Sequence, residues 1–298
     1  WRKVVKTINN QSLIVGELWE LSPDFISDDG AFDALMNYNF AFAVNDFIIA
    51  DKNKISVDEF IEMLKQIDET YPVENLFVLQ NLLSSHDTER LSSLIQNPDR
   101  GYDRDANDRN VNYNAGKPTK EVYEKQKLIA AFQILYRGAP MIYYGDEVGM
   151  WGADDPHDRK PMIWNDFVYE NEIIDANSGF QTGFGTYTVE QNKGLLELYK
   201  DIIDIKNKNE QLKTGTIKFI HSDNDKQAFA FESVLADQKT ICIFNLSETE
   251  FSMTFDFLLT KLYILKNDFE DEKNCTKIYE PNELIIIPSG SFGIFNTK

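Results

Sequence analysis

Three side chains that can exchange protons or bind hydroxyl groups follow short apolar runs in this sequence. Glu17 follows Leu13-Ile14-Val15-Gly16, and His86 and Asp87 stand side by side after an apolar run that ends at Ser84-Ser85. Such a run is typical of a buried strand of a parallel sheet. In a barrel of parallel strands, the chemistry takes place at the carboxyl ends of the strands. The spacing therefore predicts that two carboxylates and an imidazole meet at one face of a sheet, where a carboxyl group can act as an acid or a base.

Longer segments around these residues resemble a known family. Residues 80–90 (QNLLSSHDTER) resemble the fourth signature segment of the α-amylase family of glycoside hydrolases (glycoside hydrolase family 13), in its neopullulanase and cyclomaltodextrinase branch. Residues 13–20 (LIVGELWE) resemble the segment with the general acid/base. Residues 138–147 resemble the last barrel strand, residues 154–162 the loop after it, and residues 32–38 the sixth strand. The resemblance covers nearly the whole chain.

The resemblance implies catalytic roles for two carboxylates. It places the general acid/base on Glu17, and it implies that Asp87 and His86 bind the sugar hydroxyls next to the bond that is cut. Each residue also has a plainer interpretation: a solvent-exposed carboxylate for Glu17, a structural histidine for His86, and the N-cap of a helix entered at Thr88 for Asp87. The adjacent His-Asp pair, two strands after Glu17, favours the sugar-binding interpretation.

Four further residues are predicted to contact substrate. Asp155 and Arg159 lie in the loop that resembles a substrate-contacting loop of the family, although an ion pair that shapes the loop fits them as well. Tyr38 and Trp151 are predicted to stack on sugar faces, with simple packing as the alternative.

One part of the family's machinery is absent from these 298 residues. A retaining glycosidase needs two carboxylates roughly 5 Å apart. The family supplies the nucleophile in a Gly-x-Arg-x-Asp segment on strand four, and neither that segment nor the earlier Asp-x-x-x-Asn-His segment occurs here. Trp1-Arg2-Lys3-Val4-Val5 resembles the helix after strand four. We therefore expect the C-terminal part of a longer enzyme, inactive alone, whose half-barrel pairs with a missing N-terminal half or a second copy.

The overall pattern predicts an α/β fold, namely the C-terminal half of a (β/α)8 TIM barrel followed by an antiparallel β-sandwich domain. Strands five to eight of the catalytic barrel are predicted within residues 1–210, at 13–17, 32–37, 78–84 and 140–145. Helices are predicted at 57–64, 121–136 and 190–208, the first with Ser56 as N-cap and Glu59 completing a capping box. Residues 211–298 contain seven short runs rich in β-branched and aromatic residues, which predict a C-terminal all-β domain.

Charge and composition exclude several classes of partner. The 30 basic and 49 acidic residues give a net charge of −19, which argues against nucleic acid or an anionic membrane. No Cys/His spacing indicates zinc, and the acidic runs at 28–29 and 268–272 lack the ligand spacing of a calcium loop. We expect no metal and no cofactor. A cytoplasmic and a secreted or periplasmic location fit the sequence equally.

The predicted function is that of a retaining hydrolase of α-glucans that cleaves α-1,4 links. Cleavage of α-1,6 links is an open alternative. A transglycosidase is the first alternative, because the same residues pass the glycosyl group to a sugar hydroxyl. A non-catalytic glycan-binding or assembly protein on the same scaffold is the second. The branch usually has His at the position of Glu20 and Gly at that of Ser84, so the preferred α-glucan stays open.

Overall fold

The computed structural model describes residues 1–26, 30–265 and 277–297. The acidic runs 28–29 and 268–272, for which no calcium loop was expected, lie outside the described residues. The chain forms two compact units. The first comprises residues 1–54, 62–122 and 138–196, and the second comprises residues 55–61, 123–137 and 197–298. Each unit is assembled from three separate stretches of the sequence, so the predicted domain boundary at residue 210 stays a prediction.

The first unit is built on a parallel sheet of four strands in the order β1-β2-β3-β4. These strands are Val15–Leu18, Ala34–Asn37, Gln80–Leu82 and Ala139–Met141. Met36 of β2 pairs with Glu17 of β1 on one side and with Gln80 of β3 on the other. Gln80 in turn pairs with Ala139 of β4. All four predicted strands are therefore present, and their consecutive order is that of a barrel half.

Helices α1 to α5 have the bounds Arg2–Ile8, Tyr38–Val44, Val57–Thr70, Val73–Leu76 and Leu91–Gln96. Tyr38 starts α2 directly at the carboxyl end of β2, and the Asn37 side chain caps this helix by accepting from Phe40 N at 3.3 Å. Helix α1 buries none of its residues in the described structure. Helix α5 begins at Leu91, four residues after Asp87, so the plainer interpretation of Asp87 as a helix N-cap is wrong.

Three further helices and two short strands complete the described α/β part of the chain. Helices α6, α7 and α8 are Lys120–Leu135, Lys193–Lys208 and Gln211–Thr214, and strands β5 and β6 are Glu172–Ile174 and Gly185–Tyr187. The predicted helices at 57–64, 121–136 and 190–208 correspond to α3, α6 and α7. At the start of α3, Ser56 N donates to Glu59 Oε2 at 2.8 Å and Glu59 N donates to Ser56 Oγ at 3.2 Å, which confirms the capping box.

The second unit contains a six-stranded antiparallel sheet of order β12-β11-β14-β9-β8-β7 and a two-stranded sheet, β10-β13. Strands β7 to β14 are Thr216–Asp223, Ala228–Leu235, Gln238–Asn245, Phe251–Met253, Leu259–Ile264, Ile278–Tyr279, Ile285–Ile287 and Ser291–Thr297. Ile243, Ile287 and Phe295 lie in one buried cluster that joins the two sheets. The predicted antiparallel β-structure in the C-terminal part is confirmed, and the short helix α8 precedes its first strand. None of the described helices is long and apolar enough to span a membrane.

Candidate active site

Strand β1 carries Glu17 to the carboxyl edge of the parallel sheet. Gly16 leaves room for the Phe32 ring beside this strand, because a Cβ at position 16 would lie 2.5 Å from that ring. The Glu17 side chain is exposed, and its Oε1 accepts a hydrogen bond from the Tyr38 hydroxyl at 2.7 Å. The carboxylate that the sequence predicts as acid/base is therefore held by a residue from the next strand end.

Tyr38 serves Glu17 as a buried hydrogen-bond donor. Burial and the hydrogen bond to Glu17 raise the pKa of the Tyr38 phenol well above its ordinary value, so it stays neutral and keeps its proton. Its ring stacks on Trp19 with the centroids 3.9 Å apart and 13° between the planes. Tyr38 is fully buried, and the predicted stacking of its ring on a sugar has no open face in this structure.

The sequence-based reasoning did not assign Trp19 to sugar contact, but the structure brings it to the site. It is 37% exposed and covers the Tyr38 ring. Trp19 follows directly after the end of β1 at Leu18, and so lies at the same sheet edge as Glu17. An aromatic residue next to the carboxyl end of a predicted strand is the signal that could have found it.

The loop after β3 presents His86 and Asp87 to the same edge. Ser85 fixes this loop, because its backbone N donates to Thr88 Oγ1 at 2.8 Å and its Oγ accepts from Asp87 N at 3.2 Å. His86 Nε2 lies 3.3 Å from Asp87 Oδ2. Both side chains are about half exposed. One ligand atom from each of Glu17, His86 and Asp87 lies within 4.8 Å of the others, so the predicted convergence is present.

Arg159 connects the loop after β4 with the His86-Asp87 loop. Its Nη2 donates to Asp87 Oδ1 at 2.9 Å, and its Nε donates to the His86 carbonyl oxygen at 2.7 Å. The same Nε lies 3.1 Å from Asp155 Oδ1, so the ion pair considered as the alternative for Asp155 and Arg159 is also formed. The structure therefore places both residues beside Asp87.

Trp151 does not join this group. It is only 2% exposed, with the ammonium groups of Lys160 and Lys117 at 5.1 Å and 5.6 Å from its ring centroid. A ring buried in this way has no face to offer to a sugar, so the predicted stacking on substrate does not fit the structure. The packing alternative describes Trp151 correctly.

Further carboxylates surround Asp87 from the protein side. Burial, and then the charges of Asp154 and Glu89, raise the pKa of Asp103 to about 7. Glu89 is buried and bonds Arg100 Nη2 at 2.6 Å and the Tyr113 hydroxyl at 2.8 Å. The charge of Glu89 is balanced by Arg100, and the raised pKa of Asp103 leaves that carboxyl group partly protonated near neutral pH.

The spacing of Glu17, His86 and Asp87 would also allow them to ligate a metal ion, although exposed groups of this kind commonly hold none. One imidazole and two carboxylates are a ligand set that zinc and other transition metals accept. The expectation of a metal-free site stays a prediction.

Comparison with known proteins assigns the family. The sequence-family model of the alpha-amylase catalytic domain matches residues 1–215 of this chain. The chain belongs to the alpha-amylase family. It is 32% identical over 246 residues to neopullulanase 2 of Thermoactinomyces vulgaris, covering 82% of this chain and 34% of that protein. It is also 32% identical to a cyclomaltodextrinase of a Bacillus species, covering 82% of this chain and 35% of that protein.

A solved structure of a cyclomaltodextrinase superimposes on this family member with a TM-score of 0.70 and 26% identity, covering all of this chain and 42% of that one. The chain thus spans about a third of the length of the curated relatives that it matches. The recognition made from residues 13–20 and 80–90 is confirmed. The roles of the individual site residues stay predictions.

Proposed function

We propose that this chain supplies the acid/base and sugar-binding residues of a retaining α-glucan hydrolase. The observation that carries the proposal is the convergence of Glu17, His86 and Asp87 within 4.8 Å at the carboxyl edge of the parallel sheet. Proteins named neopullulanase, cyclomaltodextrinase and amylopullulanase are its relatives, and their names support an α-glucan substrate.

In the proposed mechanism, Glu17 protonates the leaving glycosidic oxygen and later deprotonates the attacking water. The Asp87 carboxylate accepts hydrogen bonds from sugar hydroxyls, and these contacts tighten as the ring flattens towards the oxocarbenium ion. His86 donates to a neighbouring hydroxyl. Arg159 keeps Asp87 in place from the side. The nucleophile comes from a segment with the family's Gly-x-Arg-x-Asp pattern, which these 298 residues lack.

We further propose that additional polypeptide completes the barrel, either an N-terminal half or a second copy of the chain. Among the described residues, β1 and β4 each have one neighbouring strand, so the sheet has two open edges. Trp1, the residue before helix α1, is 83% exposed, and Val4 and Ile8 within the helix are 61% and 82% exposed. An apolar helix face of this kind is stabilised when another layer covers it.

A transglycosidase is the second candidate, and Trp19 favours it. An exposed indole beside Glu17 offers an apolar face on which an acceptor sugar can stack, and the sugar then competes with water for the second step. A non-catalytic glycan-binding protein is the third candidate, favoured by the missing nucleophile segment.

Glucan binding by the 298-residue chain tests the proposal without requiring turnover. Isothermal titration with maltotriose, which has α-1,4 links, is compared with titration of its β-1,4-linked isomer cellotriose. We expect measurable affinity for maltotriose and at least tenfold weaker binding of cellotriose. Equal affinity for both, or no binding of either, would contradict an α-glucan site on this chain.

A further inference from the structure

Arg90 lies three residues after Asp87 and is fully buried. Its Nη1 donates to the Tyr144 carbonyl oxygen at 2.6 Å and lies 3.6 Å from Asp146 Oδ1. The guanidinium carbon is 4.7 Å and 4.8 Å from the ring centroids of Tyr143 and Tyr144. One side chain thus connects the segment after β3 with the segment after β4.

The backbone of Arg90 makes a second connection. Its N–H donates to the Gly152 carbonyl oxygen at 3.0 Å. Gly152 begins the stretch that leads to Asp155 and Arg159, and a Cβ on it would lie 2.2 Å from the His157 carbonyl oxygen. The path of this stretch is therefore tightly constrained close to Arg90.

The contacts on the solvent side are weaker constraints. The side chains of Arg159 and Asp87 are 43% and 48% exposed, and those of Arg159 and Asp155 are 43% and 47% exposed. Water and salt screen exposed ion pairs, which add little to stability and hold geometry loosely. A sugar-binding carboxylate must be held within a fraction of an ångström. The exposed pairs alone do not account for that.

Asp158 adds a charged group to the same interior. It is fully buried, and neither of its carboxylate oxygens has a hydrogen-bond partner in the described structure. The Nε and Nη2 atoms of Arg90 likewise have none. Burial raises the pKa of Asp158 to about 6, and the charges of Arg159 and Arg90 oppose this rise. Arg90, from the segment after β3, therefore acts on two carboxylates of the segment after β4, Asp146 and Asp158.

We propose that Arg90 is a positioning residue of the sugar site. Its guanidinium, held against Tyr143 and Tyr144, fixes the loop of His86 and Asp87 to the loop of Asp155 and Arg159, so that Arg159 meets Asp87 in one geometry. Arg90 touches no substrate. The inference rests on the proposed function only in naming the site as one for α-glucan; the loop geometry itself can be measured without sugar.

A buried ion pair can often be replaced by neutral groups without loss of stability, whereas removal of one partner destabilises the fold. This difference separates a positioning role from a purely structural one. Arg90→Met leaves Asp146 buried without its cation and should lower the melting temperature. The double variant Arg90→Met/Asp146→Asn removes both charges and keeps an oxygen acceptor for the Ser84 hydroxyl, which bonds Asp146. Its melting temperature should return to within a few degrees of the wild-type value.

In the double variant, the measurements that report the loop geometry should stay changed even though the melting temperature recovers. In the 298-residue chain, the Arg159 Nε–H nuclear magnetic resonance signal reports the bonds to His86 and Asp155, and Arg159→Lys assigns it. We expect this signal to be sharp in the wild type and broadened or shifted in the double variant, with maltotriose affinity at least tenfold weaker. Arg90→Lys, which keeps the charge but loses the planar fork, should fold normally and show the same broadening.

Recovery of both the Arg159 signal and the maltotriose affinity in the double variant would overturn the proposal, because Arg90 would then be structural only. If the double variant fails to fold, Arg90→Lys still tests the proposal. An unchanged Arg159 signal in Arg90→Lys would then overturn it. If the wild-type chain does not bind maltotriose, the proposed function fails, and the Arg159 signal alone still decides whether Arg90 positions the loops.

Discussion

Arg159 and Asp87, from the loops after two neighbouring strands, are joined by a hydrogen bond of 2.9 Å between Nη2 and Oδ1. This bond occupies one oxygen of Asp87, while the other faces His86 at 3.3 Å. With the two loops joined by the buried contacts of Arg90, these bonds orient the carboxylate before a sugar arrives. A preoriented carboxylate stabilises a developing positive charge better than one that must reorganise.

Glu17→Gln should lower kcat by several orders of magnitude in a protein that combines this chain with the family's nucleophile segment. Proton donation is made in the transition state, so its loss appears in kcat while maltotriose affinity stays near the wild-type value. Glu62→Gln, the same change at an exposed position on α3, is the matched control for steady-state kinetics. A near-normal kcat for Glu17→Gln would remove this residue from the acid/base role.

Asp87→Asn should also reduce kcat strongly in that protein, because the carboxylate is worth more once positive charge develops on the sugar. Asp237→Asn, an exposed change far along the chain, serves as the control. Steady-state kinetics on a maltooligosaccharide separate the two parameters. An increase in KM with unchanged kcat would make Asp87 a binding residue without a catalytic share.

The 298-residue chain alone should show no hydrolysis of maltooligosaccharides, since the covalent step has no nucleophile. A reducing-end assay on material purified free of host amylase measures this directly. Turnover that persists in the wild type and disappears in Glu17→Gln would show that a nucleophile exists within these residues.

Helix α1 should drive association of the chain, because its exposed apolar face includes Val4 and Ile8. We expect light scattering to detect species larger than a monomer at micromolar concentrations, and Ile8→Gln to reduce them. Lys3→Gln, on the same helix but at a polar position, should change little. A monomer at every concentration would mean that the apolar face does not drive self-association.

Asp158 gives a pH dependence of stability with a defined sign. Its pKa in the folded chain is raised from 3.8 to about 6, so the folded state favours the protonated form. The favourable contribution is complete below about pH 4 and is lost as the pH rises through about 6. The melting temperature of Asp158→Asn should therefore exceed that of the wild type by more at pH 7.5 than at pH 4.5. A difference that does not change with pH would contradict this assignment.

Strand ends could be predicted from sequence because apolar runs mark buried strands, and the residue after each run must reach the sheet edge. Glu17, His86 and Asp87 stand at such strand ends, and the family resemblance of residues 13–20 and 80–90 singled them out. Trp151 was misjudged, since the side chains around it, such as Lys117, Lys160 and Tyr187, come from distant parts of the sequence that periodicity does not relate to it. Arg90 was overlooked for a similar reason, because its contacts with Tyr143, Tyr144 and Asp146 are formed only when β3 and β4 are neighbours.

The hydrogen bond from Tyr38 makes the two carboxylate oxygens of Glu17 different from each other. The phenol oxygen of Tyr38 also takes part in a hydrogen bond with the Ser85 hydroxyl, and its own proton points to Glu17 Oε1. Because Oε1 is an acceptor in this bond, a proton that Glu17 carries resides on Oε2. In the proposed mechanism, the buried Tyr38 therefore determines which oxygen of Glu17 delivers the proton.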